Sequence, residues 1–256
     1  MRLRILFLLV LFSYITISAQ EVCFTKSSSL DNVLEDFIEE DIALPMNELD
    51  MDYGYALYMT DVVINDTDSY LEVENIRDFA SVYIDDIFQG TLSDGNKKLK
   101  LKVTLGKHKL SIYAENIGRI TYGPEILDNN KGLFGIVTIA SEEITGWKMS
   151  PLRIKETSPF SFSFDLNSNI LPACYFKAEI NLDDTQSSQY LDMRGWGMGE
   201  VWINGEYIGS FWESNKEKTL SIPKGVLKQG DNEIIIFELV NKGQKLARLT
   251  SNQVFE

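Results

Sequence analysis

Short alternating or β-branched runs recur along this chain about every 8–12 residues with turn residues between them, a rhythm that fits a β-sandwich or barrel. One set covers residues 53–60, 70–76, 82–88, 99–105, 109–115 and 134–140. A second covers 160–164, 175–180, 189–193, 201–203, 207–211, 219–222, 233–239 and 245–250. Asp94-Gly95 and Asn204-Gly205 are hairpin-turn dipeptides, because a type I′ turn needs positive φ at both central positions. Residues 82–92 (Val-Tyr-Ile-Asp-Asp-Ile-Phe-Gln-Gly-Thr-Leu) align without a gap on 201–211 (Val-Trp-Ile-Asn-Gly-Glu-Tyr-Ile-Gly-Ser-Phe). Each copy reads as strand, polar turn, strand, glycine. Tyr70-Leu71 matches Tyr190-Leu191 with one residue of slippage, and 106–116 resembles 230–241. Two copies at this separation predict two similar all-β domains in tandem, not a short-period solenoid. The expected boundary lies near 151–159, where Pro and Ser interrupt the strands, giving a first β-domain over 51–152 and a second over 153–256.

The N-terminus has the form of a secretory signal. Arg2 and Arg4 precede the apolar run 5–12, and Ser18-Ala19 supplies a small-residue cleavage site, so residues 1–19 are expected to be removed and the protein exported to the periplasm or beyond. No other segment approaches the ~20 apolar residues of a membrane span. From residue 27 to 76 there is no Lys or Arg. Within this acidic linker, 20–50, Leu30, Val33, Leu34, Phe37, Ile38 and Ile42 follow helical spacing, which predicts a short N-terminal helix over 30–42 capped by Ser29. Its acidic face matches no EF-hand loop. Its apolar stripe is expected to dock Val33, Leu34, Phe37 and Ile38 on a β-domain or on a partner chain. Cys23 and Cys174 would share an oxidising compartment, but spacing alone does not say whether they pair.

Composition narrows the chemistry. With 24 basic against 38 acidic side chains the net charge is −14, unsuited to a nucleic-acid or anionic-membrane binder. One histidine and two cysteines leave no zinc site of the usual Cys/His kind, and no metal or cofactor is expected. A histidine-based triad would need His108 as its base, yet His108 sits between Lys107 and Lys109 before a strand, the position of a solvated turn residue. The glycosylation sequon at Asn65 has meaning only in a host that modifies it.

Residues 193–212 (Met-Arg-Gly-Trp-Gly-Met-Gly-Glu-Val-Trp-Ile-Asn-Gly-Glu-Tyr-Ile-Gly-Ser-Phe-Trp) closely resemble the C-terminal region of glycoside hydrolase family 35 β-galactosidases. That pattern is roughly Gly-Trp-Gly-Lys-Gly, an apolar pair, Val-Asn-Gly, then Leu-Gly-Arg-Tyr-Trp. Here Met198 stands for the usual lysine, and Ser210-Phe211 for Arg-Tyr. Pro45-Met46, Glu48-Leu49 and the run 53–58 resemble the family's stretch just after its catalytic barrel. Arg77-Asp78, residues 115–123 and Lys131-Gly132 resemble its first β-domain. The resemblance covers about residues 43–250.

It implies two galactose-binding-like jelly-roll sandwiches. The family's catalysis resides in a (β/α)₈ barrel of ~250 residues carrying two glutamates. Only about two dozen residues separate the signal from the first matching segment, so the expectation is a chain that lacks the barrel and does not itself hydrolyse galactosides. Arg119, Tyr122, Trp196 and Trp212 are the candidate sugar contacts: aromatic rings for apolar sugar faces, with Arg119 as polar partner. Trp202, alternating with Val201 and Ile203, reads as packing. Three functions follow: a secreted carbohydrate-binding or accessory module for a galactose-containing glycan, a structural subunit docking on a separate glycosidase barrel, or an active glycosidase by family resemblance.

Overall fold

The computed structural model describes residues 20–119, 121–123, 126–166, 172–185 and 189–255; the signal expected at 1–19 lies outside them. Four sheets form two sandwiches. In the first, a six-stranded sheet has the order β3 (Ile38–Glu40), β12 (Trp147–Leu152), β4 (Gly54–Ile64), β9 (Gly106–Asn116), β6 (Phe79–Ile84), β7 (Ile87–Ser93). It faces a four-stranded sheet of β11 (Glu142–Glu143), β10 (Gly132–Ile139), β5 (Tyr70–Arg77) and β8 (Lys98–Lys100). In the second, the six-stranded sheet runs β13 (Asp165–Leu166), β2 (Lys26–Ser28), β14 (Cys174–Leu182), β19 (Gly230–Glu238), β16 (Met198–Ile203), β17 (Glu206–Trp212). Its four-stranded partner is β1 (Gln20–Cys23), β20 (Leu246–Thr250), β15 (Tyr190–Asp192), β18 (Thr219–Ser221).

The sequence repeat is a structural repeat. Val82 pairs with Gly90, Tyr83 with Phe88 and Ile84 with Ile87; in the second copy Val201 pairs with Gly209, Trp202 with Tyr207 and Ile203 with Glu206. Both hairpins carry a bulge at the same step, and both end their six-stranded sheets. Gly90 and Gly209, at φ +150° and +153°, take a backbone conformation there that a β-carbon disfavours. The hairpin turn of the second copy has Asn204 and Gly205 at positive φ, as its dipeptide predicts. In the first copy Asp85 and Asp86 hold the same turn without glycine, with Asp85 pinned by the Lys109 N–H at 2.9 Å and by His108.

The two sandwiches share a third core. In β4, Ala56 and Tyr58 face the first sandwich's interior, while Tyr55 and Leu57 face outward into a cluster that also contains Tyr83, Tyr113, Tyr175, Trp202, Ile235 and Phe237. The six-stranded sheets therefore pack against one another. Their central strands are buried on both faces, which is why stretches such as 55–58 are apolar without alternation. Across this boundary the Ser81 Oγ and Tyr83 hydroxyl each donate to the Leu239 carbonyl at 3.1 Å.

Three expectations need correction. The segment 30–42 is not a helix; there is no α-helix among the described residues. β12 takes up its backbone instead: the Arg153 N–H donates to Val33 O at 2.9 Å, Ser150 Oγ engages both Glu35 N–H and C=O, and β3 pairs with residues 147–149. Tertiary pairing overrides the weak helical propensity of so short a segment. Leu30 and Val33 join the shared core, and Leu34 packs against it, whereas Phe37, Ile38 and Ile42 stay exposed. Residues 20–28 are not a linker but two strands of the second sandwich: β1 zips onto β20 and β2 onto β14. Residues 160–164 carry a 3₁₀ turn, Pro159–Ser161, in place of a strand, with proline at its first turn.

Candidate functional site

Trp212 ends β17 at the rim of a cavity of about 310 Å³. Its floor and walls come from the turn after β15 and the loop after β17. The turn is tight because the Trp196 N–H donates to Met193 O at 3.1 Å, with Gly195 at φ +87°. A β-carbon on Gly197 would lie 2.5 Å from Val240 O, so only glycine lets this loop lie down on its neighbour. That geometry turns Trp196 inward. It is 1% exposed, donates its indole N–H to Leu246 O at 2.9 Å, and meets Phe24, Phe176 and Phe211 edge-on. Trp196 is therefore the floor beneath the cavity and part of the core, not an exposed stacking ring.

Trp212 is half-buried, and its indole N–H donates to no described residue. Asn215, exposed on the same wall, donates its backbone N–H to Trp212 O at 3.0 Å, while its side-chain amide donates to none of them. Arg194 stands opposite, held by buried Asp192 through Nε–Oδ1 at 3.0 Å and Nη2–Oδ2 at 2.6 Å. Glu213 pairs with Lys242, and the Lys218 Nζ donates to the Glu213 carbonyl at 2.6 Å. Glu217 accepts from Thr219 Oγ1 and Gln253 Nε2. One aromatic face, a free amide and a rigid guanidinium thus surround a space the size of a small-ligand site.

The other two sequence candidates lie elsewhere. Arg119 and Tyr122, the latter 90% exposed, belong to the loop after β9 of the first sandwich and do not line this cavity. Trp202 packs against Tyr175 and Tyr207 in the shared core. Sequence reasoning passed over Arg194 and Asn215. The signal for the first is an Asp-x-Arg pair beside a glycine turn; nothing marks the second.

A buried polar network also escaped the sequence. Glu200, fully buried, receives the Tyr207 hydroxyl at 2.7 Å, Ser210 Oγ at 2.8 Å, Lys155 Nζ at 3.0 Å and the Tyr55 hydroxyl at 2.6 Å. Glu115, from the first sandwich, lies 3.0 Å from the same Tyr55 oxygen. Burial, and then the nearby charge of Glu200 against the relief that Tyr55 gives, pushes Glu115 up to about 7. Burial likewise pushes Glu238 up to about 8. Two neighbouring carboxyl groups suggest glycosidase chemistry. However, Glu200 spends both oxygens on donors of its own chain and offers no face to a substrate. Its role is structural.

His108 has an acceptor at each ring nitrogen, Asp85 Oδ2 at 2.6 Å from Nδ1 and Thr104 O at 2.9 Å from Nε2. A neutral ring can satisfy only one, so the imidazolium is favoured, and the Asp85 hydrogen bond raises the histidine above its ordinary range. With both nitrogens engaged, it is not a free base. Among the described residues no group of three or more His, Cys, Asp or Glu is placed to hold a metal. Cys23 is exposed and Cys174 buried in the second core, and the two are unpaired. No helix among the described residues is long and apolar enough to cross a membrane.

Residues 43–153 match the model of the first all-β domain of β-galactosidase, and 173–232, which hold the Trp212 cavity, match its galactose-binding domain. The chain belongs to the family of β-galactosidase β-domains. A β-galactosidase of Xanthomonas manihotis is 31% identical over 197 residues, covering 76% of this chain and 32% of that protein. Human β-galactosidase-1-like protein 2 is 30% identical over 199 residues, 76% of this chain and 30% of that one. The chain thus spans about a third of the length of the curated relatives it matches. Among solved structures, a Streptomyces avermitilis α-L-rhamnosidase complexed with L-rhamnose covers 93% of this chain at 14% identity and a TM-score of 0.30, too slight a likeness to bear on the fold or the ligand.

Proposed function

We propose that this chain is an exported, non-catalytic carbohydrate-binding module of two jelly-roll sandwiches, related to the C-terminal domains of glycoside hydrolase family 35, which seats a galactose-containing glycan at Trp212. The observation that carries the reading is the cavity itself. It presents a half-buried indole with an unspent N–H beside the free Asn215 amide and the Arg194 guanidinium, within the stretch matching a galactose-binding domain. A pyranose needs such a pairing of ring face and fixed polar groups. Arg119 and Tyr122, on their exposed loop, are a separate and lesser candidate for a sugar contact. A glycan array probed with the mature protein tests the reading, and Trp212→Ala should abolish its hits. Purified protein is expected not to hydrolyse aryl β-galactosides; turnover that survives purification to homogeneity would favour the active-glycosidase alternative.

A second reading, a subunit that docks on a separate glycosidase barrel, draws on one observation. Phe37, Ile38, Ile42 and Ile136 are exposed on the first sandwich, and the Ala43–Gly135 bridge brings Ile42 beside Ile136. Co-purification with a barrel-bearing chain, lost on Ile42→Asp, would support it.

A further inference from the structure

A second cavity, of about 340 Å³, opens where the two sandwiches meet, and Trp212 and Glu213 line it as well as the first. Phe79 and Phe88 come from the first sandwich, Met198 and Val240 from the second. The Phe79 and Trp212 rings stand 6.4 Å apart across the boundary, tilted by 35°. The repeat makes this placement: Phe88 is the counterpart of Tyr207 in the bulged hairpin, so the same register step that points Tyr207 at Glu200 points Phe88 at the boundary. The trough is therefore aromatic on the first-sandwich side and becomes complete only when both sandwiches are in contact.

Charge selects among occupants. Lys242 in the trough is paired with Glu213, and Arg194 in the first cavity with Asp192. These cations are already balanced within the chain, and a net charge of −14 repels polyanions. Aromatic sides with a rim of closed ion pairs, Thr91 and Ser214 suit the C–H faces and hydroxyls of an uncharged sugar.

We infer that the two cavities are successive subsites of one groove for a neutral oligosaccharide, with Trp212 as the ring between them and Phe79 and Phe88 as the far platform. The inference rests on the reading that a sugar sits at Trp212 and extends it to the length and charge of the ligand.

Calorimetry with the mature protein would compare galactose, β-1,4-galactotetraose and tetragalacturonate. The tetraose is expected to bind about ten-fold tighter than galactose, a gain of about 1.4 kcal/mol, and tetragalacturonate more weakly than the tetraose. Phe88→Ala should remove the gain while leaving galactose affinity unchanged. Because Phe88 also packs on Tyr83, a readout on the unaltered protein accompanies it: Phe79 and Phe88 ring resonances should shift with the tetraose and not with galactose. Equal affinity for galactose and tetraose, or a gain that leaves those resonances still, overturns the groove but not the sugar site. Tighter binding of tetragalacturonate overturns the neutral assignment. Binding of none of the three overturns both the groove and the reading beneath it.

Discussion

Tyr55 has one hydroxyl proton and two carboxyl groups within reach of it. The shorter contact, 2.6 Å, goes to Glu200, where three further donors converge, so Glu115 is left with the longer share of that hydroxyl, at 3.0 Å. A consequence follows for pH. Glu115 and Glu238 are pushed from 4.5 in free solution up to about 7 and about 8 by burial, so the folded state binds protons that the unfolded chain releases. The cost is absent below about pH 4.5, grows as pH rises, and is complete above about pH 8. His108, raised by Asp85, acts in the same direction, since its stabilisation is full below the unfolded value of 6.5 and is lost as pH rises through the folded one. Denaturant midpoints should therefore fall from pH 5 to pH 8, and Glu115→Gln should flatten the slope. The tryptophans separate equally cleanly: Trp196→Ala should cost about 3–5 kcal/mol in urea unfolding, while Trp212→Ala should cost far less and act on sugar affinity. Sequence marks both rings as members of one motif but not which is buried, because that depends on Val240 O, which excludes any β-carbon at residue 197 and presses the loop inward.

Among the elements, the edge of the first sandwich is the instructive one. β12 contains Pro151, read from sequence as a break. It remains a strand because β3 stops pairing at Met149; beyond that point Ser150 Oγ and the Pro151 carbonyl, which needs no N–H of the proline, bond Glu35, and Leu34 bridges Leu152. The segment it captures has buried Leu30 and Val33 but exposed Phe37 and Ile38. Val33→Asp should accordingly lower stability by several kcal/mol, since it buries a charge with no partner, whereas Phe37→Asp should change it by under about 1 kcal/mol; thermal melts of the two variants check the contrast. The paired hairpins were legible in the sequence down to their glycines, because local turn chemistry and alternation determine them. β1, β2 and β3 were not, since a strand of three or four residues carries almost no periodicity and exists only through a partner more than a hundred residues away.

At the scale of the molecule, the shared core joins two sandwiches that the repeat alone would suggest are independent. Phe237 lies at its centre, edge-on to Tyr55 at 5.1 Å and tilted against Tyr175 at 5.5 Å. Calorimetric unfolding is expected to show one transition, and Phe237→Ala should lower it as a unit by about 3–5 kcal/mol rather than split off one domain; two resolved peaks in the unaltered protein would contradict this. The repeat predicts two similar units but not their contact, because outward-facing Tyr, Trp and Ile on a strand look the same whether they meet solvent or a neighbour. The two units also differ in how the chain threads them. In the first, β10 is followed by β11 and β12; in the second, the strands in the corresponding sheet positions are β20, β1 and β2, so the second sandwich is a circular permutation of the first. During synthesis, then, β1 and β2 are made before β14 and β20 and wait for them, a delay on the order of ten seconds at ~5–20 residues per second. The first sandwich has all its strands by residue 152 and can close while they wait. β20, made after every other strand of the two sandwiches, is the one that fastens β1.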